Sequence, residues 1–273
     1  MRLFCPAAFL LTLITSTAHA GSPLDNEPAT YIKKTNFGYT PPSASIISFE
    51  NTEYIKAHPG YFWYKNWYFN IFEIQLMGND IFSRKETEDP EVKKEMYIHT
   101  MYLKFAKAGY LWRFPDRDLI LTADLHAGLF YTNDLKVESD IEVENTTRGG
   151  GGFSLGLRWT PKHFYLDILA SIVGSSGDQI AEVYFDLGWQ INHKWKIGIF
   201  SESGTRTLSL CEDKKDPACE WSMTLSYTAL YASWRFYKKW WFAFGFGASG
   251  LELGSETNRL KAKPSPAIYL SIR

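Results

Sequence analysis

Residues 118–131 read DLILTADLHAGLFY, and their alternating polarity decides the fold class of this chain. From Leu119 to Tyr131 every second residue is apolar, whereas the residues between them include Asp124 and His126. Successive side chains of a β-strand point to opposite faces, so this pattern predicts a strand with one apolar and one largely polar face. A dry core on both faces would leave the charged groups without partners. The pattern therefore favours a strand with one face toward an apolar environment and the other toward an aqueous one.

Two other segments repeat this alternation, residues 153–160 (FSLGLRWT) and 181–192 (AEVYFDLGWQIN). In a further segment, 61–77, the apolar residues change phase between Ile71 and Phe72, which a β-bulge would reconcile. Weaker alternation marks six more candidates, at 96–114, 163–173, 194–202, 221–236, 240–251 and 265–273. The chain is therefore predicted to contain about ten strands, with eight and twelve as the limits.

Short and long connections alternate between these segments. Short turns lie at 115–117, 161–162, 193 and 237–239, and longer polar stretches lie at 78–95, 132–150, 174–180, 203–220 and 252–264. Aromatic residues flank the short turns: Trp112, Phe114, Trp159, Phe164, Trp189, Trp195, Trp234, Phe236, Trp240 and Trp241. Because aromatic rings favour the interface between a membrane and water, they predict one interfacial girdle. The alternative is that they fill the core of a soluble β-sandwich.

The composition excludes several classes of protein. Aromatic residues make up 16% of the chain, yet the mean hydropathy is −0.24. No apolar run after the first twenty residues reaches the roughly 18 residues of a membrane-spanning helix. A net charge of −1 provides no basic face for nucleic acid. The glycine run 149–152 is not followed by a helical pattern, so no phosphate-binding loop is expected. Neither a second cysteine pair nor a cluster of histidines accompanies Cys211 and Cys219, so no metal ion is expected, and no cofactor is predicted.

The N-terminal segment and a pair of cysteines indicate that the chain is exported. Residues 1–20 read as a secretory signal peptide, with Arg2 before an apolar stretch and small residues before a cleavage site near Ala20. An uncleaved membrane anchor is the alternative. Residues 21–58 are rich in Pro, Ser and Thr and are interpreted as a loosely ordered leader, in which a short strand could lie at 46–49. This leaves 59–273 for the repeated strands. In an exported protein, Cys211 and Cys219 are predicted to form a disulfide across a polar loop.

An even number of alternating strands, tight turns at one end and an aromatic girdle resemble the β-barrel class of the Gram-negative outer membrane, over roughly residues 59–273. The alternating end, Ile268 to Ile272, is similar to the signal that the barrel assembly machinery reads, although it ends in Arg273 instead of an aromatic residue. The resemblance implies an all-β, antiparallel, up-and-down transmembrane barrel with periplasmic short turns and outside long loops. It also implies the bacterial outer membrane as location, and its lipids, lipopolysaccharide and the assembly machinery as partners.

About ten strands enclose a narrow interior, which excludes a wide diffusion pore. The polar phase of the strands is expected to place a set of charged residues in this lumen: Asp124, His126, Arg158, Asp167, Glu182, Asp186, Lys194 and Lys196. Two interpretations stay open. The charges could form a salt-bridged plug in a structural surface barrel, or they could line a narrow, porin-like channel that selects small polar or charged solutes.

An outer-membrane enzyme is the alternative class. Asp124 and His126 share one face of a strand, close enough for the carboxylate to orient the imidazole. The pair resembles the Asp-x-His element of omptin proteases, and residues 78–82 resemble the Asn-Asp element of lipid A deacylases. Both motifs are incomplete, because a second acidic pair and a following Thr-Asn-Gly stretch are missing. The resemblance implies an enzyme that acts on lipid A or peptides at the outer rim, with Asp124 and His126 as catalytic candidates.

Overall fold

A computed structural model of the chain describes residues 37–39, 42–49, 52–80, 97–137, 141–143, 146–175, 178–209, 220–237, 240–254, 259–261 and 264–272. These residues form sixteen strands and one short 3-10 helix, Pro115–Arg117. In chain order the strands are β1 (Phe37–Tyr39), β2 (Ser43–Phe49), β3 (Thr52–His58), β4 (Phe62–Tyr64), β5 (Trp67–Asp80), β6 (Tyr97–Phe114), β7 (Leu119–Val137), β8 (Ile141–Val143), β9 (Thr146–Trp159), β10 (Phe164–Ser175), β11 (Asp178–Gln190), β12 (Trp195–Ser209), β13 (Glu220–Tyr237), β14 (Trp240–Gly254), β15 (Arg259–Lys261) and β16 (Ser265–Ile272).

Twelve of these strands close an antiparallel barrel, which confirms the predicted fold class. Their order around the barrel is β2, β3, β5, β6, β7, β9, β10, β11, β12, β13, β14 and β16. The barrel closes where β16 pairs with β2, with Tyr269 opposite Ile47. The four remaining strands extend the hairpins, since β4 pairs with β5, β1 with β4, β8 with β7 and β15 with β14. The twelve barrel strands thus match the upper limit of the predicted range of eight to twelve.

The two additional barrel strands, β2 and β3, lie inside the segment that we interpreted as a leader. The barrel therefore begins at Ser43 and not near residue 59. Small residues dominate β2, so its own alternation is weak, and the ladders with β16 and β3 keep it in the wall. The predicted signal peptide, its cleavage near Ala20, and the cysteines 211 and 219 lie outside the described residues.

The phase change predicted near Ile71 is present, and it extends over three neighbouring strands. Ile71 and Phe72 are both exposed on the outer wall, at 64% and 37%. At the same level Ala106 interrupts β6 with a φ of 51°, and Gly60 separates β3 from β4 with a φ of 105°. Consecutive inward positions are therefore three residues apart instead of two: Asn70 and Glu73 on β5, Lys104 and Lys107 on β6, and His58 at the end of β3 and Tyr61 just before β4.

The connections divide the barrel into two ends. The short-turn end carries the connections at 65–66, 115–118, 160–163, 191–194 and 238–239, and the opposite end, the long-loop end, carries those at 81–96, 138–145, 210–219 and 255–264. The expected alternation is incomplete, because two connections at the long-loop end, 50–51 and 176–177, have only two residues. Among the described residues, no helix is long and apolar enough to cross a bilayer.

Candidate functional site: an ion-pair network across the lumen

Buried ion pairs join nearly opposite walls of the barrel. The ammonium of Lys56 on β3 contacts Glu202 on β12 and lies 3.8 Å from Glu182 on β11. The ammonium of Lys104 on β6 lies 3.2 Å from Glu182 and 3.4 Å from Glu73 on β5. Counted from β2, the strands β3, β5 and β6 are the second to fourth of the barrel, and β11 and β12 are the eighth and ninth. We call these five residues the cross-lumen network.

Neutral side chains complete the hydrogen bonding of the network. The Nε2 atom of Gln75 donates to Glu73 at 3.1 Å and to Glu182 at 3.3 Å. The hydroxyl of Tyr54 donates to Glu202 at 3.3 Å. Buried carboxylates are costly unless they are paired and hydrogen-bonded. The network meets both conditions, which makes it a stable layer across the lumen.

A second cluster surrounds Asp124, closer to the short-turn end. Its carboxylate accepts a hydrogen bond of 2.6 Å from the hydroxyl of Tyr68 and lies 3.3 Å from the ammonium of Lys107. The Nδ1 atom of His126 is 3.3 Å from the other carboxylate oxygen. The structure thus brings Asp124 and His126 together as the spacing predicted. It also encloses the imidazole completely, with no exposed side-chain area.

Three other charged residues that were predicted to face the lumen form contacts outside these two clusters. Arg158 on β9 makes a two-point contact with Asp167 on β10, with its Nε atom 2.5 Å from Oδ1. Asp186 accepts hydrogen bonds from the hydroxyls of Tyr231 at 2.6 Å and Tyr184 at 3.1 Å.

Lysines 194 and 196 differ in position. The ammonium of Lys196 lies 4.3 Å from the centre of the Trp241 ring, a cation–π distance. Lys194 is not in the lumen: it is exposed in the turn before β12, where its backbone N–H donates to Asn192. The predicted strand began one residue too early there, which placed Lys194 on the wall. Trp241 in turn is buried and not part of the outer girdle.

Sequence reasoning missed four of the five network residues, all except Glu182. Lys104 and Lys107 are three residues apart, so both face inward only because β6 is irregular at Ala106. Glu73 follows the corresponding change of phase in β5. Glu202 continues the inward phase of Lys196, which was a detectable signal.

A small cavity lies between the cross-lumen network and the long-loop end. The volume open to the centre of a water-sized sphere is about 60 Å³. One side is polar and includes Tyr54, Gln75, Glu182 and Glu202. The other lining residues come mainly from β12 and β13 and from inward positions near this end: Ile47, Tyr102, Ile180, Gly204, Thr205, Arg206, Met223, Leu225 and Tyr227.

The outer wall of the barrel is an apolar belt. Large exposed side chains on it include Leu125, Leu155, Val183, Leu230 and Phe246, while the inward positions beside them are polar, aromatic or small. Near the short turns the exposed aromatic residues include Trp112, Trp159, Trp189, Trp195 and Trp234. An apolar band with an aromatic border around a closed barrel is the form in which strands cross a bilayer, because closure leaves no unpaired backbone edge. The chain thus has the architecture of an outer-membrane β-barrel.

Comparisons with known proteins find distant matches among solved structures. No protein-family model matches the chain, and no curated protein is significantly similar in sequence. Among solved structures, the CymD monoaromatic hydrocarbon channel has 10% identity and a TM-score of 0.47, and covers 94% of this chain and 93% of its own. The toluene transporter TbuX of Ralstonia pickettii has 11% identity, a TM-score of 0.42 and 94% coverage of both chains. OmpT, an outer membrane protein of Vibrio cholerae, has 8% identity, a TM-score of 0.42, and coverage of 86% and 95%. Similarity at this level does not assign an activity to the outer-membrane barrel.

Proposed function

We propose that this outer-membrane barrel has a closed lumen and acts as a structural surface protein whose contacts with other molecules are made at the long-loop end. The observation that carries the proposal is the cross-lumen network, in which Lys56 and Lys104 connect three neighbouring strands to Glu182 and Glu202 on the far wall. Ions that cross the lumen would have to separate these charges, and separating buried ion pairs is costly.

Other layers of side chains support the same conclusion. Beside the network, Phe200, Tyr227, Tyr231 and Tyr269 pack with ring centres 4.9 to 6.3 Å apart. At the short-turn end a buried cluster of apolar and aromatic residues occupies part of the lumen: Tyr61, Trp63, Tyr68, Leu111 and Ile120. Successive layers of this kind favour a closed barrel over an open diffusion pore.

A narrow path for small polar or charged solutes is the second candidate. One observation favours it: among the described residues, the network that crosses the lumen consists of side chains from the wall strands, and lysine and glutamate side chains can rotate without unfolding the barrel. Such a path would be lined by both signs of charge, which suits selection of small ions.

Conductance separates these two candidates. The purified mature protein in planar bilayers is expected to show no conductance steps above background. Sustained conductance of the wild type, with an ion selectivity that changes in Glu182→Ala but not in the turn variant Lys194→Ala, would overturn the closed-lumen proposal in favour of the path. Heat-modifiable mobility on gels shows that each variant is folded before its conductance is measured.

We infer a structural role for the Asp124–His126 pair. Lysine, tyrosine and histidine surround the carboxylate inside the lumen, away from the outer rim where lipid A or a peptide would bind. We therefore expect the lipid A mass spectrum of cells to be the same with the wild type and with His126→Ala. A lipid A product that appears with the wild type and is lost in this folded variant would instead support the enzyme class.

A further inference from the structure

We propose that the cavity between the cross-lumen network and the long-loop end binds a small, uncharged, partly apolar molecule that carries one hydrogen-bonding oxygen. This inference goes beyond the closed-lumen proposal, because a molecule can occupy the cavity whether or not ions pass the network below it.

The size of the cavity limits the ligand. A single water needs on the order of 10–15 Å³ of the same kind of volume, so about 60 Å³ corresponds to roughly four to six waters. This is the space of a compact molecule with on the order of seven non-hydrogen atoms. The wall from Ile47, Ile180, Met223 and Leu225 is apolar, so it would contact a hydrocarbon ring or a short branched chain.

Two tyrosine hydroxyls account for the hydrogen-bonding oxygen. Tyr102 and Tyr227 both line the cavity and are only 3% and 1% exposed. Their hydroxyls have no hydrogen-bond partner among the residues that the structure describes. Buried hydroxyl groups are nearly always hydrogen-bonded. A ligand oxygen within the cavity would supply such a partner while the rest of the molecule contacts the apolar wall.

The balance of charge favours a neutral ligand. The carboxylates of Glu73, Glu182 and Glu202 are matched in number by the cations Lys56, Lys104 and Arg206. The Arg206 guanidinium also lies over the Phe130 ring, at 5.6 Å from its centre. A cation or an anion entering the cavity would lose its hydration without gaining an excess of opposite charge.

Four probes of similar shape test the three requirements. Cyclohexanol is neutral with an oxygen, methylcyclohexane has no oxygen, cyclohexylammonium is a cation and cyclohexanecarboxylate is an anion. Binding to the detergent-solubilised mature protein is measured by saturation-transfer NMR and titration calorimetry. We expect cyclohexanol to bind most tightly. The double variant Tyr102→Phe/Tyr227→Phe keeps both rings and should weaken cyclohexanol about five-fold, as expected for loss of one neutral hydrogen bond.

A matched pair of glycine variants distinguishes binding in the cavity from partitioning of the probe into the detergent. Gly204 lines the cavity, and a Cβ there would lie 3.6 Å from Cγ of Glu182, an ordinary contact distance, so Gly204→Leu should fold and fill the cavity. Gly174 has open space around the position of a Cβ, so Gly174→Leu is the control. Cyclohexanol binding should be lost in Gly204→Leu and retained in Gly174→Leu.

Equal binding of cyclohexanol to both glycine variants, or tighter binding of either charged probe, would overturn the proposed site. Wild-type conductance would refute the closed lumen and leave this result unchanged, so the two proposals fail separately.

Discussion

Lys104 is the residue whose removal should destabilise the barrel most directly. Its side chain is 4% exposed, and its ammonium lies 3.2 Å from Glu182 and 3.4 Å from Glu73. At an effective dielectric constant of about 20, each contact has a Coulomb energy of about 5 kcal/mol, which desolvation of the three charges largely offsets. Lys104→Met keeps much of the volume of the side chain but leaves Glu73 without its ion-pair partner and Glu182 with Lys56 alone.

We expect Lys104→Met to lower the free energy of unfolding by about 3–5 kcal/mol, the usual cost of removing one partner of a buried ion pair. Glu73→Gln should cost less, about 2–3 kcal/mol, because Gln75 still donates to the new amide oxygen. The loss of stability in the double variant should be about 2 kcal/mol smaller than the sum of the two single losses. Each single variant leaves one charge of the Lys104–Glu73 pair without its partner, whereas the double variant removes both charges.

Unfolding by guanidinium chloride in lipid vesicles, followed by the fluorescence of the ten tryptophans, measures these differences. Lys194→Met is the matched control, because this lysine is exposed in a turn and its loss should change stability by less than about 0.5 kcal/mol. The reasoning is refuted if Lys104→Met is as stable as the control, or if the costs of Lys104→Met and Glu73→Gln are additive.

Three further outcomes are expected. Leu230 is 69% exposed on the outer belt, so Leu230→Arg should cost about 2–4 kcal/mol and reduce assembly in the outer membrane, whereas Leu230→Ile should assemble normally, as judged by heat-modifiable mobility. A Cβ on Gly128 would lie 2.5 Å from the Tyr102 ring, so Gly128→Ala should cost about 1–3 kcal/mol in the same unfolding assay, and Gly174→Ala, which meets open space, should not. Cys211 and Cys219 should resist alkylation until the protein is reduced, then gain two labels by mass spectrometry; labelling without reduction would contradict the predicted disulfide.

Much of this architecture is a local property and could be predicted from the sequence. Alternation in 118–131 and 181–192 predicted β7 and β11, and the change of phase at Ile71 predicted an irregular strand. Of the eight residues that the alternation assigned to the lumen, seven lie in strands with their side chains directed inward, and Lys194 lies in a turn. These predictions succeeded because the side-chain period of a strand is two, whatever its neighbours are.

The number of strands, the closing pair and the contacts across the lumen depended on the tertiary structure. The pattern of β2 indicates no more than a short strand at 46–49, and only its ladders with β16 and β3 place it in the barrel. Lys56 and Lys104 reach Glu182 because closure of twelve strands determines which residues face each other across the lumen. The irregularities in neighbouring strands determine how far along the barrel axis these residues lie. A linear sequence contains the period of each strand, but distances between opposite walls exist only after the sheet has closed on itself.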